Sequence, residues 1–280
     1  MWRFCVLLLF MGMSVSASAT PVTLPLDNGL TARANFAPGR PGKPAVLLLH
    51  GYLQTHDFPT IHRMFEALAG EGYTVLAPNL TLNVTHRRQS LACEAIHTHT
   101  IQGDSREISA WLHWLGARHR GPVALIGHSM GSVGLLAYLE AYPRGRVGKF
   151  IGISIVEGRL KHDESGRQDK LAEMRDRMAQ NNRQPVTEQF SFCQKLTATP
   201  ESLASYMQWS PEHILKAAHK LAVPIVFIMG SRDDRLGPGW TDRLLKTPAR
   251  VHVVQGANHF MDGEHEFELL DLVLKELADL

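Results

Sequence analysis

The chain has 280 residues, with 29 lysines and arginines against 27 aspartates and glutamates, and 44% of its side chains are apolar. Near-neutral charge without a basic block or an acidic tail gives no electrostatic footprint for nucleic acid. The length suits one large α/β core better than two small ones.

Arg3, the apolar run 4–11 and then Ala17-Ser18-Ala19 have the layout of a secretory signal, with cleavage expected after Ala19. The run is shorter than the roughly 20 residues that span a bilayer. Residues 1–19 are therefore expected to be a signal peptide. Residues 20–280 are expected to form one exported domain, periplasmic or secreted, with no stable membrane span. Cys5 leaves with the signal, while Cys93 and Cys193 reach a compartment that permits disulfides. A Cys93–Cys193 bridge is the economical expectation, with two buried thiols as the alternative.

"VTLPLDNGLTARANF" alternates around Asp27-Asn28-Gly29 and predicts a β-hairpin, which "APGRPGKP" separates from the remainder of the domain. From residue 45 short apolar runs alternate with amphipathic segments. "AVLLLH", "YTVLAPNL", "PVALIGHS" and "KFIGISIV" read as strands, and "TIHRMFEALAGEG", "DSREISAWLHWLGARHR" and "MGSVGLLAYLEAYP" as helices. After a gap come "PIVFIMGS", "ARVHVVQG" and "HEFELLDLVLKELADL". Continuous apolar strands bounded by helices predict a mostly parallel, doubly wound sheet. The polar stretch at about 157–205 breaks the rhythm and is too long for a structureless loop. It predicts a helical cap insertion over the strand ends, where open α/β sheets hold their ligands.

"GHSMG" sets Ser129 in G-x-S-x-G spacing, between a predicted strand and a predicted helix, as a nucleophile elbow requires. Gly127 and Gly131 keep side chains out of so tight a turn. A serine hydroxyl needs a base, and the base needs an acid to hold its tautomer. His259, after "VHVVQG", is the late histidine in a strand-end loop, while His265 falls in a helical pattern. Asp233 and Asp234 follow the strand that ends at Gly230. Asp233 is the preferred acid, with Asp234 and Glu157 as alternatives. The Met130 amide and the Tyr52 amide, after "LLLHG", are candidate oxyanion donors. His50 reads as a residue that shapes its loop. His97 and His99 in "HTHT" invite a metal, but no acidic or cysteine partner stands at ligand spacing, and surface histidines are expected.

With "HGY" at 50–52, "GHSMG" at 127–131, "GSRD" at 230–233 and "GANH" at 256–259, residues 45–280 resemble the α/β-hydrolase superfamily. The resemblance implies an α/β-hydrolase fold with Ser129 as nucleophile, Asp233 as orienting acid, His259 as base, and the Tyr52 and Met130 amides as oxyanion hole. It departs in its doubled acid, since a proline often found four residues after the acid stands here four after Asp234. The expected activity is cleavage of an ester-type bond on a small-molecule acyl substrate, with no cofactor and no metal. An acyltransferase, a small-peptide hydrolase and a non-catalytic binding protein of the same fold are the alternatives.

Overall fold

The computed structural model describes residues 19–143, 145–157 and 164–280. Residues 1–18 of the expected signal segment 1–19, and 158–163 of the expected insertion, lie outside them.

The hairpin forms as predicted. β1 (Thr20–Pro25) pairs antiparallel with β2 (Thr31–Ala37). Gly29 takes φ +82°, which the tight turn needs and a side chain would resist. β3 (Ala45–Leu49), β4 (Thr74–Asn79), β5 (Val123–His128), β6 (Val147–Ile153), β9 (Ile225–Gly230) and β10 (Arg250–Val254) complete an eight-stranded sheet. Its order is β1-β2-β4-β3-β5-β6-β9-β10. β2 meets β4 antiparallel, and every pair from β4 to β10 is parallel.

The parallel strands read as unbroken apolar runs because both their faces are covered. Alternate residues of β3 feed different cores. Leu47 and Leu49 join Trp111 and Leu115 of α2 (Ile101–Gly116) and Val133 of α3 (Met130–Ala141). Val46 and Leu48 join Phe65 and Leu68 of α1 (Pro59–Gly70) and Val273 of α8 (His265–Ala278). α3 is buried from Met130 to Leu139, so it runs inside the molecule. Among the described residues no helix is long and apolar enough to cross a membrane.

The insertion differs from the all-helical expectation. α4 (Glu164–Ala179) is followed by an antiparallel hairpin, β7 (Val186–Phe190) and β8 (Cys193–Ala198), and then by α5 (Pro200–Met207). Phe190, Cys193, Leu196 and Ala198 of this hairpin are buried. The alternation is short and polar enough to be lost among the surrounding charges. Its partner is distant in sequence: Cys93 and Cys193 form a disulfide with their Cα atoms 5.6 Å apart. Around it the Thr197 amide donates to the Cys93 carbonyl (3.0 Å), and the His97 amide to the Thr197 carbonyl (2.9 Å). His97 and His99 are thereby buried, not on the surface as expected. α6 (Pro211–Lys220) and the short α7 (Trp240–Leu244) flank the last strands.

A cross-link between residues 100 apart removes about 4–5 kcal/mol of loop entropy from the unfolded chain in the simplest account. The Cys93→Ser/Cys193→Ser double variant of the 20–280 chain is expected to unfold in urea with a free energy lower by up to about 4 kcal/mol. Mass measurement of the intact chain should show no alkylation without reductant.

Candidate active site

β5 delivers Ser129 at its carboxyl end, and α3 starts at the next residue. Ser129 has φ 57° and ψ −128°, a backbone conformation that neighbours must hold in place. Its amide donates to the Ile153 carbonyl at 2.8 Å, and its carbonyl accepts from the Ser132 amide at 3.0 Å. A Cβ on Gly127 would lie 2.7 Å from the Ser132 nitrogen, and one on Gly131 would lie 2.3 Å from the His50 oxygen. The turn closes because neither residue carries one.

His259 and Asp233 come from the loops that follow β10 and β9. Gly230 lets these loops pack together, since a Cβ there would sit 2.4 Å from the Ala257 oxygen. His259 Nε2 lies 3.0 Å from Ser129 Oγ, and Nδ1 lies 2.8 Å from Asp233 Oδ2. An ionised carboxylate only accepts, so Nδ1–H donates to Asp233 and Nε2 is left to accept the Ser129 hydroxyl. Asp233 Oδ1 accepts from the Arg235 amide at 3.0 Å, which fixes the carboxylate from its other side. The side chains of His259 and Asp233 are 2% and 0% exposed, so water does not screen the pair.

The alternative acids stand elsewhere. Asp234 is exposed, because the residue after Asp233 turns outward. Glu157 is buried, but its carboxyl packs against Gly237, where a Cβ would meet Oε1 at 1.9 Å. His265 begins α8, away from this line.

The loop after β3 lies against Ser129: the position of a Cβ on Gly51 is 3.4 Å from Ser129 Cβ. Tyr52 follows directly, and Met130, as first residue of α3, has an amide with no acceptor inside the helix. Gln54 also turns its Oε1 to this spot, buried and without a hydrogen-bond partner, a residue that sequence reasoning passed over. His50 shapes the loop as expected. Its Nδ1 donates to the Gly51 carbonyl (2.8 Å), while Nε2 accepts from the Leu80 amide (3.2 Å) and Arg87 Nη2 (3.1 Å).

His128, also missed, is completely buried, and its Nε2 donates to the His259 carbonyl at 3.0 Å. The residue before Ser129 therefore holds the loop that carries His259. It occupies an unspecified position of G-x-S-x-G, so the motif gives no sign of it. Among the described residues no group of three or more histidine, cysteine, aspartate or glutamate side chains is placed to hold a metal ion.

The alpha/beta hydrolase family model matches residues 46–271. Similar solved structures include DcsB in complex with its substrate analogue, at TM-score 0.69 and 14% identity, covering 94% of this chain and 99% of that one. A monoacylglycerol lipase from Paleococcus ferrophilus is similar at TM-score 0.66 and 16% identity, covering 94% and 99%. Est1E from Butyrivibrio proteoclasticus is similar at TM-score 0.64 and 14% identity, covering 93% and 99%. No curated protein sequence matches the chain.

Behind the site lies a buried polar network. The Tyr52 ring is boxed by Phe190 and Tyr206, each 5.5 Å away between centroids, and by His99 at 6.2 Å. Tyr206 donates its hydroxyl to Asp104 and accepts from His99 Nδ1. Burial pushes His99 and His128 down to about 3 and lowers His50, His56 and His97 as well. Burial also raises Asp104 to about 7, outweighing its hydrogen bond from Tyr206, and raises Glu107.

These shifts act on stability in opposite directions. A histidine that is neutral when folded and charged when unfolded costs stability as pH falls below about 6.5 towards its folded value. A carboxyl raised to about 7 contributes stability at about pH 4 and loses it as pH rises towards 7. The histidines outnumber the carboxyls, so the urea midpoint is expected to fall between about pH 6.5 and 4. Asp104→Asn removes an opposing group and should steepen that fall.

Proposed function

Because the chain belongs to the alpha/beta hydrolase family, we propose that it is an exported serine hydrolase that cleaves an ester-type bond through an acyl-enzyme. One observation carries the reading: the line from Asp233 through His259 to Ser129, with both hydrogen bonds at 3.0 Å or less. Ser129 Oγ attacks the substrate carbonyl as His259 Nε2 takes its proton, and Asp233 stabilises the resulting imidazolium. The oxyanion forms beside the amides of Met130 and Tyr52, where the positive end of α3 adds to them. His259 then gives its proton to the leaving group and takes one from the water that releases the acid. That a monoacylglycerol lipase has a similar fold supports acyl chemistry.

Export rests on the signal-like residues 1–19, with cleavage after Ala19 and a periplasmic or secreted destination. The Cys93–Cys193 bridge supports it, because such bonds persist in oxidising compartments.

A fluorophosphonate probe is expected to label the wild-type 20–280 chain and not Ser129→Ala; equal labelling of both would reject the nucleophile. Asp233→Asn should lower turnover of a wild-type ester substrate on the order of 10³- to 10⁴-fold, as loss of the orienting acid does in serine hydrolases. Asp234→Asn should change it less than about twofold, as expected for an exposed group away from the reacting atoms.

A further inference from the structure

Arg235 stands two residues beyond Asp233, and its amide is already tied to that carboxylate. Its guanidinium lies 4.6 Å from the ring centre of Phe260, the residue after His259. It also lies 5.9 Å from the ring of Phe192 at the tip of the β7–β8 hairpin. Phe192 is in turn 6.3 Å from Tyr52. Tyr52, Phe192, Arg235 and Phe260 thus form a rim that runs from the oxyanion side of Ser129 to its base side, and Arg235 is the cation in it. Phe192 and Arg235 are both exposed, so the rim meets solvent.

The charge is held in position but not neutralised. Among the described residues the Arg235 guanidinium makes no ion pair, and its partners are two aromatic faces contributed by different loops. Its neighbour Asp234 stays out of salt-bridge range, and Asp233 is engaged with His259. A cation–π contact through the ring faces uses no N–H of the guanidinium, so its planar fork can bind a carboxylate in bidentate fashion. One guanidinium balances one such group. Its field also reaches inward, helping to keep His128 neutral after burial and His259 have acted.

Resting on the acyl-transfer reading above, we infer that Arg235 selects carboxylate-bearing esters and holds the substrate's carboxylate at the rim while Ser129 attacks the ester carbonyl. The test compares wild type, Arg235→Gln and Arg235→Lys on three esters: 4-nitrophenyl valerate, 4-nitrophenyl hydrogen glutarate and 4-acetoxybenzoate. The first is neutral, and the other two carry the carboxylate on the acyl side and on the leaving group. Arg235→Gln should lower kcat/KM for at least one anionic ester about 10- to 100-fold, the range of a lost charge-assisted hydrogen bond, and mainly through KM. The neutral ester should change less than twofold, and Arg235→Lys should fall between. Equal effects on neutral and anionic esters, or no effect on any, would overturn the assignment while leaving the hydrolase reading intact. A wild-type chain that cleaves none of the three and is not labelled at Ser129 would overturn both.

Discussion

The structure depends on one tight turn. β5 must end, reverse into a buried helix and leave Ser129 at positive φ, and this is feasible only where neighbouring backbone can approach without side chains. Gly127 admits the first turn of α3, and Gly131 admits the end of β3. Because β3 can come so close, its following loop lies against Ser129 at Gly51. The strained residue is thus gripped from β6 through its amide and from α3 through its carbonyl. The rest of the sheet is the frame that keeps these three strand ends level.

The second requirement is that loops from distant parts of the chain meet this turn in one geometry. Buried polar contacts meet it, because a polar group without a partner in the interior is costly and few arrangements satisfy all of them. His128 ties β5 to the loop of His259. Thr60 Oγ1 donates to the Phe260 carbonyl at 3.0 Å and ties the same loop to α1. Arg87 bonds the Leu80 and Gln89 carbonyls and His50, so the loops after β3 and β4 are held by a single guanidinium. Burial lowers that group to about 10. On the far side the disulfide fixes the β7–β8 hairpin, whose Phe190 and Phe192 close on Tyr52.

Much of this was legible in the sequence, for identifiable reasons. The parallel strands are buried on both faces and so appear as continuous apolar runs. The hairpin at Asp27-Asn28-Gly29 has a turn that demands its residues. Ser129, His259 and the acid pair stand at strand ends, where chemistry-bearing side chains of this fold class collect. The β7–β8 hairpin was not legible, since "VTEQF" and "CQKLTA" carry too few apolar residues to show their period. The burial of His97 and His99 was not legible either. It results from pairing with a segment about a hundred residues later, and local pattern says nothing about such a partner.

By itself the sequence determined the layer order of the domain, the strand-to-helix turn at Ser129 and the set of residues able to act with it. These follow from periodicity and from glycine spacing, which are local properties of the chain. Only the tertiary structure set Asp233 and not Asp234 against His259, packed Glu157 against Gly237, and gave His128 and Arg235 their places beside the loop of His259. Those choices depend on where side chains point once separate loops have packed together. Adjacent residues with the same chemistry differ in that direction, and composition does not record it.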